Sequence, residues 1–193
     1  MRCFSLATAF SHGDFRFRLR QAGYSLYDLM VTSAVAGVLG VGAVGMNDMV
    51  QDARMTAAVN RIMGDLILAR SEAVKRRSVV ALCKSRDGAS CTDSATWNEG
   101  WIVFSNVNSS NRQVDSDEQI IRVEQALAGN LSLQKTGDYN YIHYNPTGQV
   151  WPATTFTFCD GRGSTKAKAV IISTTGRPRI SAKTAGNDPL HCP

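Results

Sequence analysis

The fold turns on Gly23-Tyr24-Ser25-Leu26-Tyr27-Asp28 and on the run behind it, Leu29 to Met46. That run holds 18 residues with no formal charge, near the lower limit of about 17 for a helix that crosses a bilayer. Ahead of it, the first 23 residues carry Arg2, Arg16, Arg18 and Arg20 against Asp14. A basic flank before an apolar run is held on the cytoplasmic side. A secretory signal peptide would follow its apolar run with small residues. Here the chain continues Asn47-Asp48-Met49-Val50-Gln51-Asp52, with no such site.

Beyond Met46 the apolar density falls while helical spacing persists. Val59, Ile62, Met63, Leu66, Ile67, Ala69, Ala73 and Val74 recur three and four residues apart, with Arg61, Asp65, Glu72, Lys75 and Arg76 assigned to the other side. Arg61 with Asp65 and Glu72 with Arg76 read as i,i+4 ion pairs. One helix from about Tyr24 to Arg77 is expected, its first half projecting beyond any globular part at about 1.5 Å per residue. Gly37, Gly40, Gly42 and Gly45 suit close helix packing in a membrane or filament.

After Arg77 the period changes to two. The predicted strands are 78–84, 101–105, 119–124, 131–135, 139–144, 154–159, 169–174 and 179–182, separated by turn chemistry such as Asp87-Gly88, Asn145-Pro146-Thr147-Gly148 and Thr175-Gly176. Strands after a long amphipathic helix predict an α+β arrangement, an antiparallel sheet packed on the helix. The 193 residues suit about one domain, and a hydrophobic fraction of 44% with 19% charge can support a core. A large multidomain enzyme and a wholly disordered chain are excluded.

The junction resembles type IV pilins and pseudopilins, whose basic leader ends in Gly and is cut before an aromatic residue while the apolar helix stays attached. The resemblance implies cleavage by prepilin peptidase after Gly23, methylation of Tyr24, and an assembly role for the acid at the fifth mature position, here Asp28. Tyr24 stands where the family usually has Phe, and Asp28 where it usually has Glu. A carboxylate inside an apolar helix costs about 2.5–3.5 kcal/mol, which favours a residue that meets a partner. In pilins that partner is the amino terminus of a neighbouring subunit; the alternative is that Asp28 lies at the headgroup boundary. The expected organisation is a leader over 1–23, a transmembrane and assembly segment over 24–50, and a periplasmic or extracellular head over 51–193.

Cys3 belongs to the leader, which leaves Cys83, Cys91, Cys159 and Cys192, an even number in a head placed outside the cytoplasm. Three pairings are open. Proximity favours Cys83 with Cys91, around an Asp-Gly turn, and Cys159 with Cys192, stapling the C-terminal tail. The C-x7-C spacing with only His143 and His191 nearby does not suit a metal, so no metal or cofactor is expected. No G-x-S-x-G, H-E-x-x-H, Walker A or dinucleotide loop occurs, and no enzymatic role is expected.

The formal charge of +5 comes from 21 basic and 16 acidic residues. The leader holds +3, residues 24 to 159 hold −2, and residues 160 to 193 hold +4. In that tail Gly176-Arg177-Pro178-Arg179 places two guanidinium groups on one face, about 6.6 Å apart along an extended chain. Such forks suit neighbouring phosphates. Arg162, Lys166, Lys168 and Lys183 share the stretch. With Cys83-Lys84-Ser85-Arg86-Asp87-Gly88 before Cys91, Gly100-Trp101-Ile102-Val103-Phe104 and the Asn145–Gly148 turn, the chain resembles the FimT/GspH family of minor pilins and minor pseudopilins over essentially its whole mature length. In FimT-like members G-R-x-R is associated with DNA binding in natural transformation. The resemblance implies a type IV pilin fold, pilin partners, the inner membrane before assembly and the pilus after it. DNA would be met by Arg177 and Arg179, with Lys166, Lys168, Lys183 and Arg162 beside them. A type II secretion pseudopilin with a structural, protein-recognising role is the alternative.

Overall fold

The computed structural model describes residues 25–107, 113–137 and 139–192, without side chains for 38–45. The leader, Gly23, Tyr24 and three of the four apolar-run glycines, Gly40, Gly42 and Gly45, lie outside what is described. The chain divides into a unit up to Val44 and a unit from Gly45.

Helix α1 runs Leu26–Arg76. Its first turn is closed by a reciprocal cap: Tyr27 N–H donates to Ser25 Oγ at 3.1 Å, and Ser25 N–H donates to an Asp28 carboxylate oxygen at 3.2 Å. Asp28 therefore has a local task at the positive end of the helix. In the first unit Leu26, Leu29, Met30 and Val35 are all exposed. Among the described residues no helix is long and apolar enough to cross a membrane; the middle of the candidate span, 38–45, is not among the described side chains.

In the second unit α1 buries Met55, Ala58, Val59, Ile62, Leu66, Ala69 and Ala73, a stripe at three- and four-residue spacing. Two residues assigned to that stripe, Ile67 and Val74, are about half exposed at 54% and 50%. A third departs the other way. Asp65, expected on the polar side, is 3% exposed: it accepts the Trp101 indole N–H at 2.8 Å and lies 3.9 Å from Arg122. Desolvation pushes its pKa up to about 6 against the Trp101 hydrogen bond. Arg61 pairs instead with Glu124 at 2.7 Å, while Glu72 and Arg76 form the expected pair at 2.6 Å. The helix stops at Arg77, whose φ of +53° is left-handed.

Among the described residues nine strands follow: β1 Val79–Lys84, β2 Gly100–Asn106, β3 Ile120–Gln125, β4 Ser132–Lys135, β5 Tyr141–Tyr144, β6 Val150–Trp151, β7 Thr154–Cys159, β8 Lys168–Ile172 and β9 Pro178–Ser181. Eight lie where period two predicted them; β6, of two residues, is too short to show a period. They make two sheets in place of the single one expected, ordered β3-β2-β1-β5-β6 and β4-β7-β8-β9, with antiparallel pairing throughout. The inner faces of both sheets share one core with α1, including Val80, Leu82, Trp101, Ile142, Tyr144, Phe156, Phe158, Val170 and Ile172. Both outer faces thus point away from the helix.

Two disulfides, Cys83–Cys91 and Cys159–Cys192, realise the pairing that proximity favoured. Each pins a covering to an outer face. The first secures a cluster over β1 and β2 with Ala81, Ile102, Phe104 and Val114; the second ties the tail, with Leu190, over Ala169 and Ile171.

Candidate nucleic-acid interface

The G-R-x-R segment forms the turn and first half of the β8–β9 hairpin. Gly176 N–H donates to the Ser173 carbonyl at 2.8 Å, and Gly176 has φ +75°. A Cβ there would collide with the Gly148 carbonyl oxygen and press on the Tyr144 ring, so both conformation and space require glycine. Gly148 is itself held from the helix: Arg70 Nε donates to its carbonyl at 3.1 Å. The chain helix–Arg70–Gly148–Gly176 positions the hairpin, and Arg70 is a residue the sequence reading passed over. Nothing in its i,i+4 spacing points to a turn 78 residues away.

Pro178 opens β9 opposite Ile172, and Arg179 lies opposite Ile171. Strand β9 is an edge strand, where a residue without N–H is tolerated. Because Val170 and Ile172 face the core, Arg179 stands on the outer face. Arg177 and Arg179 are both exposed. Among the described residues neither makes an ion pair with a carboxylate.

The other four basic residues do not gather around this pair. Arg162 is bound by Asp160 at 2.6 Å and Asp52 at 2.8 Å, with Asp48 at 3.9 Å, and its side chain is 15% exposed. The same contacts depress the Asp160 pKa, mainly through the Arg162 hydrogen bonds. Three carboxylates thus engage the one guanidinium, which sets Arg162 apart from the hairpin pair. Lys168 lies on the helix-facing side of β8 and donates to Thr56 Oγ1 at 3.1 Å. Along α1, Thr56 and Arg70 are separated by about 20 Å at about 1.5 Å per residue, so Lys168 and the hairpin turn occupy opposite ends of the second sheet. Lys166 and Lys183 are exposed near the Lys168 end. The tail is two basic groups, and only Arg177 and Arg179 form the exposed pair on the hairpin.

A long N-terminal helix packed on antiparallel sheets, with a disulfide-pinned tail, defines a type IV pilin fold. The family described as Type II transport protein GspH matches residues 58–176, more than half of the chain. The chain belongs to this family. Among solved structures it is similar to the type IV minor pilin FimU of Pseudomonas aeruginosa at 20% identity, covering 74% of this chain and 97% of that one with a TM-score of 0.54. A second crystal form of that pilin gives 20% identity, 71% and 98% coverage and 0.52. The minor pseudopilin EpsH of the Vibrio cholerae Type 2 Secretion System gives 11% identity, 66% and 96% coverage and 0.49. No curated protein matches the chain.

Proposed function

We propose that this chain is a minor type IV pilin that binds extracellular DNA through Arg177 and Arg179 for uptake in natural transformation. The observation that carries the reading is the exposed arginine pair on a rigid edge hairpin with no carboxylate partner among the described residues. Two guanidinium forks, one just before β9 and one on its outer face, can each hold a phosphate oxygen through charge-assisted hydrogen bonds. Contacts of that kind position a duplex without reading its bases. One head neutralising two phosphates binds weakly, with log affinity falling about 0.9 per phosphate per log unit of salt.

The rest of the reading follows the pilin pattern. Prepilin peptidase removes residues 1–23, Tyr24 is methylated, the 24–50 segment sits in the inner membrane and then in the filament, and the 51–193 head faces the periplasm and later the exterior. The exposed apolar residues of the first unit need either lipid or neighbouring helices around them. Unchanged mature mass in Gly23→Ala cells containing prepilin peptidase would show that cleavage lies elsewhere.

The test of DNA binding is a titration of the oxidised chain in detergent micelles with duplex DNA at two salt concentrations. Binding that weakens with salt and is lost in Arg177→Ala/Arg179→Ala is the expected result; no binding at low salt overturns the reading. A second role, as a structural pseudopilin of type II secretion, is favoured by the description of the matching family. Deleting the gene separates the two: loss of secreted protein with normal transformation supports the second.

A further inference from the structure

The outer faces of the two sheets are covered at two places, by the Cys83–Cys91 cluster over β1 and β2 and by the Cys159–Cys192 tail over β7 and β8. Four rings stand in contact beside the first covering, against which Tyr141 packs. Tyr141, His143 and Trp151 occupy the outer face of β5 and β6, since Ile142, Tyr144 and Val150 point to the core. Tyr141 and His143 are stacked at 5.9 Å with 9° between planes. Trp151 lies 5.6 Å from His143 and 4.7 Å from Tyr139. Tyr139 and Trp151 are 42% and 43% exposed, which leaves large aromatic surface in water. Burial lowers the His143 pKa, so the imidazole joins the cluster as a neutral ring near pH 7.

Cationic groups flank these rings. Lys135 Nζ lies 5.9 Å from the Tyr139 ring centroid. On the other side Val150 N–H donates to the Thr174 carbonyl at 3.2 Å, joining β6 to the hairpin turn that carries Arg177. Gly176 rests on Gly148, and from Gly148 to Trp151 is about 10 Å of extended chain at about 3.3 Å per residue. Exposed rings beside positive charge favour a ligand with flat apolar faces on an anionic backbone. Beside the rings Asn140 Nδ2 donates to an Asp93 carboxylate oxygen at 3.0 Å, so this amide is engaged within the fold.

We propose that Tyr139, Tyr141, His143 and Trp151 form a base-stacking platform for unpaired nucleotides, whose phosphates run toward Arg177 and Arg179. The proposal rests on the DNA-binding reading above for the arginine pair, and on the ring geometry alone for the stacking. Stacking on aromatic side chains tolerates any base, because every base has a π face.

Trp97 and Trp101 are buried, so tryptophan fluorescence of the full chain in micelles reports a strand arriving at Trp151. Oligothymidylate is expected to quench it, and an abasic strand of equal length to bind without quenching. Trp151→Ala and Tyr139→Ala should each weaken oligothymidylate binding roughly tenfold and leave duplex binding unchanged. Trp151→Phe, which keeps a ring, should retain most of the affinity. Equal affinity for oligothymidylate and the abasic strand, or ring variants that bind like the parent, overturns the platform while duplex binding keeps the arginine reading intact. Ring-dependent quenching that survives Arg177→Ala/Arg179→Ala, with no duplex binding by the parent, overturns the arginine reading and keeps the platform. Quenching by a neutral oligosaccharide and none by oligothymidylate assigns the rings to sugar and overturns the proposal, as does the absence of any nucleic-acid binding.

Discussion

Arg162 and the Arg177/Arg179 pair lie within one basic tail and would be scored alike by any count of charge. Around Arg162 the fold brings Asp48 and Asp52 from α1 and Asp160 from the end of β7. Around Arg177 and Arg179 it brings no carboxylate within ion-pair distance among the described residues. A guanidinium in the first setting is a structural rivet, and in the second a group still available to a ligand. Side-chain identity sets the chemistry that is possible, and neighbours from distant sequence decide which use is made of it.

The contrast can be broken most strongly from the Arg162 corner. Replacing Cys159 and Cys192 by Ser together frees the tail beside Asp160, and the 33-residue separation makes the expected loss about 4 kcal/mol of stability, visible in chemical denaturation. A loss no larger than that of the Cys83/Cys91 pair, about 2.5 kcal/mol, would show that loop length does not govern these links.

On the hairpin side Gly176→Ala is expected to cost about 3 kcal/mol, from a left-handed residue and a clash with the Gly148 carbonyl. It should also reduce DNA binding although no cation is removed. Unchanged stability would mean that the turn can move off Gly148.

Arg162→Ala should destabilise by about 2 kcal/mol by stranding the buried Asp160 carboxylate, with DNA binding as in the parent. Because Arg162 depresses the Asp160 pKa, its contribution is present above the unfolded carboxylate pKa and is lost as pH falls through the folded one. The parent should therefore lose part of its margin over the variant in acid. A variant that binds DNA less while folding normally would place Arg162 back among the ligand groups.

The smallest stability change belongs to Arg177→Ala/Arg179→Ala, within about 0.5 kcal/mol of the parent. Its effect is on binding: duplex binding is lost at low salt, and with it the salt slope of about 1.8 that two phosphates carry. A large drop in melting temperature would show that the pair is structural after all.

Much of the fold is legible because it follows from period. Val59, Ile62, Leu66, Ala69 and Ala73 mark the buried stripe of α1, and the switch to alternation after Arg77 marks the strands. Ile67 and Val74 do not follow, since a stripe read from sequence has no fixed width and the sheets cover only part of it. Asp65 was misplaced for a related reason: a carboxylate reads as solvent-facing unless a buried donor such as the Trp101 indole waits opposite. The split into two sheets, and the two-residue β6 that links the first to the hairpin, are matters of strand pairing, which alternation alone does not encode.

By itself the sequence determined the N-terminal helix, the α+β class and the family, and favoured one of three cysteine pairings, because local periodicity, short separations and contiguous motifs need no knowledge of distant contacts. Tertiary structure alone decided which basic residues face solvent, that Gly176 is wedged on Gly148 under Arg70, and that four rings meet on the outer face of β5 and β6. Each of those depends on groups far apart in sequence arriving within a few ångströms of one another. Only the packed core of both sheets against α1 sets such distances.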